Sequence, residues 1–252
     1  MNKQEQKDAY TRYLTERLDN GQSKNIVIST TAGLIVQRAQ ELARVRVLDV
    51  GCFSGAMLNR IREEVPTEIQ DKVEFVGVDV DENALELGRQ KYNGLILVSG
   101  EILDTEFINL GTFDILIMSN IIHEIIPDGT TSDKGKEAVV SSAIARAGGL
   151  LNPEGQLVIL DGLRPDKDET EMVVVFSNPK VTDLFELFAQ EYHGFPIKKT
   201  RLAGNTYATR LKDLAAFLTK ARYMGEKYWP IESTQIYQYF TAAQFTLSLH
   251  AS

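Results

Sequence analysis

From Val45 to Gly162 the chain repeats one rhythm: a short apolar run, a turn, then a helical pattern. The apolar runs are VRVLDV (45–50), VEFVGVDV (73–80), LILVSG (95–100), FDILIMSN (113–120) and QLVILDG (156–162). AMLNRIREEV (56–65), ENALELGRQKY (82–92) and GKEAVVSSAIARAGGLL (135–151) carry the helical spacing between them. Continuous β-branched runs are what a strand buried on both faces requires, and helices between them supply the cover. Right-handed crossovers then yield an open, doubly wound, mostly parallel α/β sheet. Asn152-Pro153-Glu154-Gly155 is predicted as the turn into the fifth strand.

The flanks obey other patterns. Charged residues alternate with Tyr10, Tyr13, Leu14 and Leu18, which predicts an amphipathic helix over 3–19 closed by Asn20-Gly21. A second helix is expected from about Thr30 to Ala43, with Ser29 or Thr30 as cap. After Arg164 the rhythm stops. MVVVFS (172–177) suits a strand or a buried helical turn, and a helix follows toward Tyr192. Gly204-Asn205 reads as a turn, Leu211 to Leu218 as a helix, and Phe240 to His250 as a last one. This gives N-terminal helices over 1–43, a core over 44–166 and a helical C-terminal extension over 167–252.

Composition narrows the function. A single cysteine, Cys52, excludes an intrachain disulfide, and with three scattered histidines it offers no zinc cluster. No run of 18 apolar residues spans a membrane, and the polar start lacks a signal-peptide core, so a cytoplasmic address is expected. A net charge of −8 argues against general nucleic-acid binding. The charge is uneven, however. Residues 195–230 carry +6, from Lys198, Lys199, Arg201, Arg210, Lys212, Lys220, Arg222 and Lys227 against Asp213 and Glu226. Such a run is either a set of solvated faces or a dock for an anionic substrate.

Ligands of an open α/β sheet bind beyond the carboxyl ends of the strands. Those ends present Asp49, Gly51 and Gly55, then Asp79, then Gly100 and Glu101, then Ser119, Asn120, His123 and Glu124, and last Asp161 and Arg164. The first turn reads Gly-Cys-Phe-Ser-Gly, with Phe53 where a dinucleotide fingerprint needs a glycine. Asp49 would repel a pyrophosphate and suit an ammonium, and Asp79 can accept from a ribose diol. The expected ligand therefore carries an adenosine ribose and an ammonium group without a pyrophosphate.

At these residues the chain resembles the class I S-adenosylmethionine-dependent methyltransferases. The resemblance rests on VLDVGCFSGAML (47–58), VEFVGVDVDENALELG (73–88), LVSGEILD (97–104), FDILIMSNIIHEI (113–125) and LNPEGQLVILDGLRPD (151–166). It covers about residues 30–166, and Phe53 departs from the glycine usual in the family. It implies a Rossmann-like core with S-adenosyl-L-methionine as cofactor. Asp49, Gly51 and Gly55 would hold the methionine end. Asp79 would take the ribose, with Val80 against the adenine. Glu101 would accept from the adenine amino group, with Ile102 beside it. Ser119 and Asn120 would border the sulfonium and the acceptor.

His123 is the candidate base, since an ordinary histidine titrates near neutrality, and Glu124 follows it. Asp161 and Arg164 are candidate substrate residues, with Arg164 suited to an acidic group or to an ion pair with Asp161 or Asp166. Ser119 stands where a magnesium-assisted site would need an acid, so no metal is expected. The expected acceptor is a small or medium organic molecule, anionic or aromatic. A methyltransferase acting on RNA and a silent cofactor-binding module are the alternatives. In this fold the fifth strand is normally followed by a helix and an antiparallel hairpin that completes seven strands. Either MVVVFS and the segment 197–210 supply that hairpin, or the chain is part of a longer polypeptide. The second reading is preferred, with helices of the extension or a homodimer covering the open edge.

Overall fold

The computed structural model describes residues 24–103, 109–126, 133–226 and 229–250. The helix expected over 3–19 lies outside them. The chain divides into two compact units, with the boundary between Asp161 and Gly162.

In the sheet unit, α1 (Asn25–Glu41) leads into β1 (Val45–Val50). Then come α2 (Ala56–Glu64), α3 (Thr67–Gln70), β2 (Val73–Asp79), α4 (Glu82–Lys91) and β3 (Leu95–Ser99). β4 (Phe113–Ser119), α5 (Asp133–Gly149) and β5 (Leu151–Leu160) complete the unit. The five strands are parallel in the order β3-β2-β1-β4-β5. Every residue of β4 is buried, as its unbroken apolar run requires. The order reverses between β1 and β4, which makes their carboxyl ends the switch point where such sheets bind ligands.

Two expectations are corrected here. α1 begins at Asn25, not Thr30, and has no side-chain cap; Lys24 occupies the capping position. Val27 and Ile28 belong to a buried stripe continued by Thr31, Ala32, Ile35 and Ala39. That stripe packs with Val45, Val47, Leu58, Ile61, Phe75, Ile115 and Ile117 in the core of the sheet unit. Asn152–Gly155 does not precede β5 but lies within it, as an excursion between the pairs Phe113↔Leu151 and Ile115↔Gln156. Glu154 there turns left-handed, with φ 65°.

The second unit begins at Gly162. Its elements are β6 (Glu171–Val175), α6 (Pro179–Glu191), β7 (Lys199–Ala203), β8 (Thr206–Arg210), α7 (Leu211–Lys220) and α8 (Trp229–Glu232). α9 (Ala242–His250) is the chain's last helix. MVVVFS is thus a strand, and the hairpin around Gly204-Asn205 forms. These segments do not extend the parallel sheet as its sixth and seventh strands. They build a separate antiparallel sheet in the order β6-β8-β7. The reason is aromatic packing. Tyr207 of β8 is fully buried and meets Phe185 edge-on at 5.4 Å, while Phe217 meets Phe185 at 5.0 Å and Phe176 at 5.8 Å. Strands committed to that cluster have their own core.

Candidate active site

Asp49 is 1% exposed at the end of β1, and neither of its carboxylate oxygens has a hydrogen-bond partner. Burial pushes its pKa up to about 7; the Lys24 ammonium opposes that rise and Asp79 adds to it. A buried ionised carboxylate is costly unless a cation joins it, so this position is built to receive one.

The turn after Asp49 is held in an uncommon conformation. Gly51, Phe53 and Gly55 have φ of 72°, 54° and 76°. At Gly51 a side chain would also collide with Ile121, whose Cδ1 would lie 2.5 Å from an added Cβ. Phe53 thus adopts the left-handed region a glycine would reach without strain, at a cost of about 1–3 kcal/mol. Its amide explains why. Phe53 N–H donates to Asp79 Oδ2 at 2.7 Å, and Asp81 N–H to Asp79 Oδ1 at 2.9 Å. Asp79 is therefore a fixed acceptor, with lone pairs left for a diol. Burial raises its pKa, and the Asp81 and Phe53 amides pull it back. Asp81 in turn caps α4 by accepting from Asn83 N–H and Ala84 N–H. Val80 is 69% exposed at the end of β2. After β3, Glu101 is exposed and Ile102 buried.

At the end of β4, Ser119 accepts from the Lys24 ammonium on its carbonyl at 2.9 Å and on its hydroxyl at 2.7 Å. Asn120 turns left-handed, with φ 57°. That turn brings His123 against the end of β5, where its Nδ1 lies 3.0 Å from Asp161 Oδ1. Asp161 Oδ2 accepts from Ile122 N–H at 2.9 Å. Both side chains of the pair are buried. Glu124 Oε1 lies 3.7 Å from His123 Nε2. A carboxylate on Nδ1 favours the tautomer with the proton there, which leaves the lone pair on Nε2.

The expected residues thus separate. Asp49, Gly51, Gly55, Asp79, Ser119, Asn120 and His123 share one unit with Asp161, which holds His123. Arg164 belongs to the second unit. Its guanidinium lies 3.6 Å from Asp168 and donates to Gln244 at 3.3 Å. Lys24 was not anticipated. A lysine in a polar stretch before an amphipathic helix has no distinguishing sequence signal.

Residues 48–157, which hold this geometry except Lys24 and Asp161, match the family model of a methyltransferase domain. They form a class I S-adenosylmethionine-dependent methyltransferase domain. No curated protein matches the chain. Among solved structures, this chain resembles CalS10 with S-adenosylmethionine bound, an amino pentose methyltransferase from Micromonospora echinaspora. The identity is 16% and the TM-score 0.51, over 95% of this chain and 86% of that one. The sugar N-methyltransferase KedS8 from a Streptoalloteichus species gives 12% identity and a TM-score of 0.52, over 95% and 83%. DesVI of Streptomyces venezuelae gives 20% and 0.45; the methyltransferase covers 63% of its length with 66% of its own. At these identities the likeness is one of fold. No helix among the described residues is long and apolar enough to cross a membrane.

Proposed function

We propose that this domain binds S-adenosylmethionine across the carboxyl ends of β1, β2 and β4 and methylates a small or medium organic acceptor, with His123 as base. One observation carries the reading: a fully buried carboxylate, Asp49, stands without a hydrogen-bond partner at the switch point of the sheet. The ligand's ammonium supplies the hydrogen bonds that Asp49 lacks. Asp79, fixed by two amides, accepts from the ribose. Val80 lies against the adenine, Glu101 accepts from its amino group, and Ile102 packs beside it. Ser119 and Asn120 border the acceptor.

The cofactor, when bound, supplies an electrophilic methyl group on a sulfonium. The chain's own residues orient the acceptor and take its proton. Asp161 holds Nδ1–H of His123, so Nε2 is the atom that accepts the proton, and Glu124 stands near enough to steady the resulting imidazolium. A small-molecule acceptor is favoured over RNA by the state of the basic segment. Lys199 pairs with Glu186, Arg210 with Asp213 and Glu169, Lys212 with Glu169, and Lys220 with Glu232. Four of the eight basic residues of that segment are thus paired within the second unit.

Calorimetry with S-adenosylmethionine and S-adenosylhomocysteine tests the cofactor reading. Mass spectrometry of extract treated with the protein and methyl-labelled cofactor tests the acceptor. Methylation confined to RNA, with binding that weakens steeply with salt, would overturn the small-molecule reading. Binding of the cofactor with no labelled product in any fraction would favour a silent module.

A further inference from the structure

The antiparallel sheet β6-β8-β7 has two edges, and they are finished differently. β7 carries Lys199 and Arg201, and its register slips between Arg201 and Ala203. Charged side chains and a bulge both discourage a further strand from pairing. β6 reads Glu-Met-Val-Val-Val and pairs with β8 without a slip. That pairing fixes which way its backbone points. Phe176 N–H donates to the Asn205 carbonyl, and the Thr170 carbonyl accepts from Leu211 N–H, so the even-numbered residues bond toward β8. The N–H and C=O groups of Glu171, Val173 and Val175 therefore point off the free edge. Among the described residues no strand lies there. The same three residues have exposed side chains, with Val173 at 62% and Val175 at 63%. The register partners of the two valines are Ala208 and Thr206, and that of Ala208 on β7 is Thr200, so no charge interrupts the face around them.

Such an edge is a template for another strand, and β6 complements itself. Antiparallel pairing about a two-fold axis at Val173 sets Val173 against its own counterpart and Glu171 against Val175. All three outward residues then exchange both of their bonds, about six in total, two for each facing pair. Charge selects this direction. Glu171 is exposed at one end of the strand, just after Asp168 and Glu169, and Lys180 is exposed beyond the other, in the first turn of α6. The two-fold arrangement brings the acidic end of each copy to the lysine end of the other, whereas a parallel one would set acid on acid. We propose that the chain forms a symmetric homodimer by pairing β6 with β6 of a second copy, which joins the two small sheets into one. The exposed valines of both copies then form one apolar stripe across the joint. The interface lies wholly within the second unit and does not depend on the cofactor reading.

Sedimentation velocity on the full chain tests this, and wild type should run at twice the mass of one chain. Val173→Pro removes an outward N–H and no bond to β8, so it should run as a single chain with an unchanged circular dichroism spectrum. Val173→Lys sets two ammonium groups against each other at the axis and should do the same; it carries the test if the proline variant does not fold. Arg201→Glu, on the other edge, should stay dimeric. Cross-linking reads the register. Val173→Cys should form an interchain disulfide on mild oxidation, because facing bonded residues have Cα atoms about 5.5 Å apart. Val175→Cys should not, since its two copies would lie about 14 Å apart, four residues at about 3.4 Å each. The buried Cys52 is common to every variant and serves as the background. A single-chain mass for wild type at every concentration up to about 100 μM, where even a weak interface assembles, overturns the proposal. So does a dimer that survives both Val173 variants, or one that dissociates in Arg201→Glu. Masses that grow past two chains overturn it too, because they mark an open array of β6 on β7. Cross-linking through Val175→Cys but not Val173→Cys would overturn the two-fold register.

Discussion

Each compact unit buries a lysine beside a carboxylate, and the two sites are finished differently. In the second unit Lys220 and Glu232 are both about 1% exposed and lie 3.2 Å apart. Lys220 also donates to the Glu232 carbonyl at 2.7 Å and sits 3.5 Å from the centre of the Tyr237 ring. The Tyr237 hydroxyl donates to the same Glu232 oxygen that takes the lysine. There the cation and the anion answer each other. In the sheet unit Lys24 bonds Ser119, and Asp49 keeps two partnerless oxygens. Folding alone has reason to close an ion pair, because removing either partner leaves a buried charge. It has none to leave a carboxylate open. The open site is therefore the one we propose as the ligand's.

The largest effect expected from this contrast is on turnover. His123→Ala should lower the rate by about 100-fold or more and abolish the rising limb of the pH–rate profile. Asp161→Asn should fold normally yet shift that limb, because the amide no longer fixes the tautomer. An unchanged profile in His123→Ala would show that this histidine is not the base.

Stability comes next. Lys220→Met should cost about 3–5 kcal/mol in denaturant unfolding, the usual penalty for orphaning a buried charge. Lys24→Met should cost less, since Lys24 and Asp49 share no hydrogen bond. Equal losses would break the contrast between the two lysines.

Asp79→Ala should weaken S-adenosylmethionine by about 2–3 kcal/mol, the worth of charge-assisted bonds to a diol. It also frees the Phe53 and Asp81 amides, so Asp79→Asn, which can still accept, should recover part of the affinity. Wild-type affinity in Asp79→Ala would remove this carboxylate from the site.

The smallest effect is a pH dependence at Asp49. Its pKa in the fold is raised to about 7 by burial, whereas an unfolded aspartate ionises near 3.8. Between these values the folded state binds the extra proton, so the Asp49 contribution makes stability fall as pH rises through that window. Asp49→Asn should remove this slope and melt about 2–4 °C above wild type at about pH 8, in the absence of ligand. S-adenosylmethionine has the opposite sign: it needs the ionised carboxylate, so its affinity should rise as pH passes about 7 and lose that dependence in Asp49→Asn. Matching melting curves for wild type and Asp49→Asn at about pH 8 would mean that Asp49 is not the buried charge described above.

The sequence by itself determined the parallel sheet. Runs such as VRVLDV and FDILIMSN have no polar face to turn to water, and counting to their ends places Asp49, Asp79 and Ser119 at the ligand-binding edge. The left-handed turn was partly legible through Gly51 and Gly55. Phe53 hid the rest, because only the bond from its amide to Asp79 shows why a phenylalanine takes that conformation. Tertiary structure alone decided which polar groups meet. Lys24 reaches Ser119 across 95 residues, and Asp161 reaches His123 across 38. It also decided that β6, β7 and β8 form their own sheet, since the buried Tyr207 and its aromatic neighbours give those strands a separate core. Local patterning fixes what an element can bury, for burial follows from periodicity along a few residues. Which charge finds a partner, and which is left open for a ligand, depends on contacts between segments far apart in the chain, and periodicity carries no record of them.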